Sequence, residues 1–278
     1  MRISVIQMCP GSDKRENIAQ AHRLVSGALE ADRPDLIILP EMWSCLGGNR
    51  DTKFAAAETL PDPDGSGAAG EAYTMLAGIA RKAGIFLHGG SIGERTGDRI
   101  SNTSVVFGPD GGEVARYRKI HLFDVMTPSG EGYRESDTFA PGDAVVTTPL
   151  GSITAGLAIC YDIRFPELFL QLRRAGAELL LVPAAFTAET GEAHWETLLR
   201  ARAIETQCWL AASATCGGHT DARGAARMTY GHSMLVDPWG TVVARASNGP
   251  GWATGTMDAA LTGRVRAGIP VLDHRRLA

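Results

Sequence analysis

The stretch AGLAICYDIRFPELFLQLRRAG, residues 155–176, decides how the chain is read. Its first residues are apolar and read as a buried strand carrying a cysteine, Cys160, to its end. A polar turn follows, then Pro166 in the first turn of a segment with helical spacing, where the missing N–H of proline is harmless. Strands apolar on both faces, alternating with helices, favour a layered α/β architecture.

The same order extends in both directions. Downstream, ELLLVPAA (178–185) reads as a strand, HWETLLRARAIETQ (194–207) as a helix, and CWLAASAT, GHSMLVD, TVVARAS and GWATGTMD as strands, with DPWG (237–240) as a hairpin turn. Upstream, ISVIQM (3–8) and DLIILPE (35–41) read as strands around an amphipathic helix capped by Asp13. A second helix, GEAYTMLAGIARKAG, closes at Gly84. IFLHGGSIGE and ISNTSVVFGPDGGEVARYRK then supply three strands, the last two joined by the turn GPDGG. DLIILPE and ELLLVPA are counterparts, as are SVIQMCP and AGLAICYD. The economical arrangement is two sheets face to face with helices outside, in one domain spanning 1–278. GEGYRESDTFAPGD (130–143) has no periodicity and reads as a long surface loop, a kind of segment that is often functional.

Bulk properties exclude several classes of function. The 278 residues carry 27 Lys and Arg against 31 Asp and Glu, a net charge of −4, so there is no broad basic field for nucleic acid or anionic lipid. No apolar run is long enough to span a membrane, and the opening MRISVIQM lacks the apolar core of a secretory leader. Five cysteines without a CxxC pair argue against a disulfide framework and for a reducing cytoplasm. CGGH (216–219) is too isolated to make a zinc site, so neither metal nor cofactor is expected.

Cys9, Cys45, Cys208 and Cys216 read as inert core residues. Cys160 differs by position, because a strand-to-helix turn aims backbone N–H groups at the sulfur, an arrangement expected to lower a thiol pKa. A nucleophilic thiol needs a base. His121 and His232 lie in or beside strands, but sequence alone places neither against Cys160. Glu41, at the end of DLIILPE, occupies the same kind of position as Cys160. Lys119, at the end of GEVARYRK, would stabilise a thiolate and hold an oxyanion if it pointed inward, and would otherwise be one more charge in a cluster with Arg116 and Arg118.

LPEMW, YRKIHLF and CYDIRFPEL, in that order, resemble the motifs of the nitrilase superfamily of carbon–nitrogen hydrolases. The resemblance implies a four-layer α-β-β-α sandwich and a Glu–Lys–Cys triad on Glu41, Lys119 and Cys160. RESDTFAPG places the family's second glutamate on Glu135. Within the superfamily, GEAHWETLLRARAIETQC and YGHSMLVDPWGTVVA resemble the amidase branch that holds deaminated glutathione amidase and ω-amidase, while PDPDGSGAAG (61–70) and residues 124–136 match less well. The implied chemistry is cleavage of a small amide through a thioester on Cys160, with the Tyr161 backbone N–H as an oxyanion donor and no cofactor. Arg164 is the candidate partner for a substrate carboxylate, or else pairs with Asp162 or Glu167 and shapes the turn; Phe186 is a second candidate substrate contact. A homodimer is the expected assembly. The rival readings are a nitrilase, carbamoylase or acyl-transferring amidase, a silent regulatory protein on the same fold, and a redox sensor at Cys160.

Overall fold

A computed structural model of the chain describes residues 1–62, 65–220 and 226–276. Residues 63 and 64, within PDPDGSGAAG, and the last two residues of the expected domain lie outside the described residues. The chain folds as one mixed α/β domain, and two sheets form its middle.

The first sheet contains β1 (Arg2–Gln7), β2 (Leu36–Ile38), β3 (Phe86–His88), β4 (Ile92–Thr96), β5 (Arg99–Phe107) and β6 (Glu113–Arg118). Two minor ribbons, β7 (Asp124–Met126) with β8 (Gly132–Arg134) and later β14 (Cys216–Thr220) with β15 (Ala226–Tyr230), stand outside both sheets. The two-residue β9 (Phe139–Ala140) joins β5 in the first sheet. The second sheet runs β10 (Thr147–Leu150), β11 (Ile153–Leu157), β12 (Leu179–Ala184), β13 (Trp209–Ala214), β16 (Met234–Val236) and β17 (Val242–Arg245) in that spatial order. The chain returns through β18 (Gly251–Thr256) to lie antiparallel against β1. Each sheet has a parallel centre, β1–β2–β3 in one and β11–β12–β13 in the other, which is the correspondence between halves expected from the sequence.

The period-2 side-chain alternation explains why these strands are apolar throughout. Ile3, Val5, Leu36 and Ile38 pack in the cluster shared with the second sheet, whereas Ile6, Ile37 and Leu39 pack outward. Helices α1 (Lys14–Asp32) and α3 (Glu71–Ala83) cover the outward side through Val25 and Leu76. Helices α4 (Pro166–Arg174) and α5 (Ala188–Thr206) cover the second sheet through Phe169, Leu172, Trp195 and Leu199. The result is the expected α-β-β-α layering. Asp13 caps α1 through the N–H groups of Arg15 and Glu16, and Gly84 closes α3 in the left-handed conformation.

Four expectations need correction. Regular pairing of the strand before Cys160 stops at Leu157, and Cys160 opens a short 3₁₀ turn, Cys160–Arg164. IFLHGGSIGE is two strands, β3 and β4, because the chain turns at Gly89–Gly90. Residues 130–143 are not a plain loop: they hold β8, a 3₁₀ turn at Glu135–Asp137 and β9. Periodicity also missed α2 (Arg50–Ala56), α6 (Ala259–Gly268) and the β14–β15 hairpin, all short or polar.

Gly90 shows why the β3–β4 break exists. Its φ is +61°, and a Cβ there would stand 2.1 Å from the Pro40 carbonyl oxygen. The following Ser91 donates its N–H to that oxygen at 3.1 Å, and its hydroxyl accepts from Met42 N–H at 3.0 Å. The glycine thus seats the turn that carries Glu41. Gly90→Ala is expected to lower the unfolding free energy by about 2–4 kcal/mol through strain and overpacking. Urea unfolding checks this, and a shift under about 0.5 kcal/mol contradicts it.

Candidate active site

Three strand ends converge. Glu41 follows β2 by three residues, Lys119 directly follows β6, and Cys160 follows β11 by three. All three side chains are buried, Lys119 to 2% exposure. The Lys119 ammonium donates to Glu41 Oε1 at 2.8 Å and to both oxygens of Glu135, at 2.9 and 3.2 Å. Glu135 therefore joins the cluster from the segment that the sequence reading placed in a surface loop, where it also accepts from Phe123 N–H at 2.7 Å. The Cys160 thiol lies close enough to Glu41 and to Lys119 to feel the charge of each.

The electrostatics differ from the sequence expectation. Burial, the strongest influence, pushes the Cys160 thiol well above its ordinary value; Glu41 pushes the same way, and Lys119 with a backbone hydrogen bond from Ala185 only partly oppose them. The resting sulfur is a neutral thiol, and the turn does not make it a standing thiolate. For Lys119 burial works against the charge, but Glu135 and then Glu41 outweigh it and hold the ammonium well above its usual range. Lys119 is a permanent cation between two carboxylates, with a protonated sulfur beside it.

Two residues that sequence reasoning did not assign complete the arrangement. Asn102, buried in β5, donates its side-chain amide to Glu41 Oε1 at 2.8 Å and Glu135 Oε1 at 3.2 Å, and its backbone carbonyl accepts from the Lys119 backbone N–H at 2.9 Å. Its signal was the polar stretch SNTS (101–104) inside a segment read as a strand, since buried polar side chains are the informative exceptions. Asp162 is fully buried and accepts from Ile159 N–H (2.8 Å), Tyr117 OH (2.7 Å) and His121 N–H (3.0 Å), with His121 Nδ1 at 2.7 Å. It ties the Cys160 turn to the segment carrying Lys119. Neither structural pairing expected for Arg164 forms: the guanidinium pairs with neither Asp162 nor Glu167, but lies 3.3 Å from His194 Nδ1 and 5.2 Å from the Phe186 ring centre.

Cys160 itself has φ +46° and the adjacent Met42, after Glu41, φ +47°, conformations that non-glycine residues rarely adopt. Strain of this kind persists where surrounding bonds over-determine it. Glu41, Lys119, Glu135 and Cys160 line one cavity, and Tyr161, Arg164 and Phe186 line the same cavity. Among the other cysteines, Cys45, Cys208 and Cys216 are buried as expected, Cys45 also lining the cavity, whereas Cys9 is half-buried. His232 Nδ1 lies against the Tyr230 carbonyl and His219 is held by Pro10 O and Thr229 Oγ1. No group of three or more metal-ligating side chains occurs among the described residues.

Residues 2–267 match the family model for carbon–nitrogen hydrolases, and the chain belongs to that family. It is 43% identical over 282 residues to a deaminated glutathione amidase of Bos taurus, covering 99% of this chain and 81% of that protein. An omega-amidase of Xenopus tropicalis is 37% identical, with 99% and 95% of the two chains covered. The crystal structure of Nit3 from Saccharomyces cerevisiae, a member of branch 10 of the nitrilase superfamily, superposes with a TM-score of 0.87 at 29% identity, covering 100% of this chain and 97% of that one.

Removing the acceptor capacity of Asp162 is expected to loosen the cysteine turn. Asp162→Asn should cost about 2–4 kcal/mol of stability, because several buried donors lose a charged acceptor. Denaturant titration checks this; an unchanged midpoint contradicts the assignment of Asp162 as the clamp.

Proposed function

We propose that the protein is an amidase that cleaves a small carboxylic-acid amide through a thioester on Cys160. The observation that carries this reading is the buried ammonium of Lys119 bound to two carboxylates, with the Cys160 thiol within the field of both Lys119 and Glu41. A neutral thiol needs a base at the moment of attack, and Glu41 is the carboxylate that acts on it. Cys160 Sγ bonds to the amide carbon while Glu41 takes the thiol proton. The oxyanion is held by Lys119 and the Tyr161 backbone N–H. Glu41 then passes its proton to the nitrogen as the C–N bond breaks, leaving a thioester. Water attacks that thioester, giving its proton to Glu41; the C–S bond breaks, and the acid and the thiol are restored. Glu135 keeps Lys119 oriented and charged throughout, and Asn102 holds the two carboxylates in register.

The names of the relatives point to amides of keto acids, deaminated glutathione first among them. Arg164, over the Phe186 ring and without an acidic partner among the described residues, is the proposed contact for the substrate's acyl-side carboxylate. No helix among the described residues is long and apolar enough to cross a membrane, in keeping with a cytoplasmic enzyme. We further propose a homodimer; Ile204, Trp239 and Val243 stand exposed, the first packed near Gly240 in the DPWG turn.

The test is a side-by-side assay of deaminated glutathione, followed by cysteinylglycine release, and of α-ketoglutaramate and propionamide, followed by ammonia. The keto-acid amides should be hydrolysed with the higher kcat/KM. Glu41→Gln and Lys119→Met should each lower kcat by about 10³-fold or more. Hydrolysis of none of the three overturns the amidase reading, and nitrile hydrolysis in their place moves the protein to another activity of the same family.

A further inference from the structure

Besides Lys119, four cations among the described residues line the cavity: Lys53, Arg134, Arg164 and Arg227. Arg134 has Asp137 3.6 Å away, and Arg164 lies against His194. Lys53 and Arg227 have no carboxylate within ion-pair distance among the described residues. The Arg227 guanidinium lies 4.4 Å over the Tyr133 ring, and its Nε is buried without a hydrogen-bond partner. Lys53 is pulled below its ordinary pKa by burial first and then by the charge of Arg227, so the two cations sit within each other's field. Glu135 is the carboxylate whose charge also reaches Lys53, and Lys119 already holds it.

The fold assembles this pair deliberately. Asn49 caps α2, which carries Lys53, and the preceding Gly48 donates its N–H to Thr220 O, at the end of β14, at 3.0 Å. The partner strand β15, which carries Arg227, is fastened to the segment before α5: Tyr230 N–H donates to Phe186 O at 3.0 Å. Gly191 in α5 makes room for this strand, since a Cβ there would stand 2.2 Å from Tyr230 Cβ. The β14–β15 hairpin is therefore bonded at one end to the α2 entry and at the other to the chain leading into α5. Two partly desolvated cations within each other's field, neither ion-paired to a carboxylate among the described residues, are unfavourable until an anion binds between them.

We propose that Lys53 and Arg227 form an anion subsite for a carboxylate on the amine side of the scissile bond. The inference rests on the amidase reading and names its substrate class: amides with one acidic group on the acyl portion, met by Arg164, and a second on the departing amine, met by Lys53 and Arg227. Deaminated glutathione has this form, with a keto-acid carboxylate at one end and a glycine carboxylate at the other. α-Ketoglutaramate shares its acyl portion, but its leaving group is ammonia, which has nothing to offer the second subsite.

Lys53→Gln and Arg227→Gln separate the two substrates. For each variant, the ratio of kcat/KM for deaminated glutathione to that for α-ketoglutaramate should fall about 10–100-fold, the loss of one or two charge-assisted hydrogen bonds. Most of the change should appear in KM. Lys53→Arg should recover much of the ratio, which a merely structural role would not do. A ratio unchanged within two-fold in both variants overturns the proposal. Binding to the Cys160→Ala protein by calorimetry decides the matter independently of turnover. Deaminated glutathione should bind at least ten-fold more weakly when Lys53→Gln or Arg227→Gln is added, and equal binding overturns the subsite. Absence of turnover in the unmodified enzyme with that binding difference intact would sink the amidase reading and leave the subsite standing.

Discussion

The ammonium of Lys119 is buried, bound to Glu41 on one side and Glu135 on the other. Burying three charges carries a desolvation penalty of several kcal/mol per ion, offset only when the groups meet in good geometry and their remaining lone pairs are satisfied. That requirement governs much else. Asn102 fills the space between the carboxylates, Phe123 N–H caps Glu135, and the Asn102 carbonyl fixes the Lys119 backbone. Burial first, and then the charge of Glu41, keep the proton on the neighbouring thiol. A sulfur that is neutral at rest beside a base suits a reaction in which deprotonation and attack are concerted.

The turns that deliver these groups are strained and clamped. Cys160 and Met42 both adopt left-handed backbone, one in the nucleophile turn and the other just after Glu41. Each turn has its own restraint. Asp162 gathers donors from the strand end before Cys160 and from the residues flanking Lys119, whereas Gly90 and Ser91 engage the Pro40 carbonyl and Met42 N–H. Neither restraint touches the reacting atoms. Both convert the layered sandwich, whose strands only supply ends, into a fixed constellation.

Much of this was legible in the residue order. Alternating apolar strands and helices gave the layers, because β1 and β2 bury both faces and so read as continuous apolar runs. Proline at the start of α4 and the glycine after α3 marked helix ends through local chemistry. Glu41, Lys119 and Cys160 were found through motifs, and their convergence could not be read from spacing, since 78 positions separate Glu41 from Lys119. The thiol's ionisation was misjudged because a turn's dipole is visible in sequence, whereas burial and an opposing glutamate are not. Asp162 and Asn102 escaped for the same reason: their burial and their distant partners are not visible in the residues around them. The short helix α2 and the β14–β15 hairpin left no periodic trace, and they carry Lys53 and Arg227.

The central claim is that this charge cluster serves a covalent step at one sulfur. Mass spectrometry of protein quenched in acid during turnover of deaminated glutathione, followed by peptide mapping, addresses it most directly. The account predicts an α-ketoglutaryl group in thioester linkage on the peptide containing Cys160 and on no other cysteine peptide. An acyl group on a different residue, or steady product release from protein that never carries one, would contradict it.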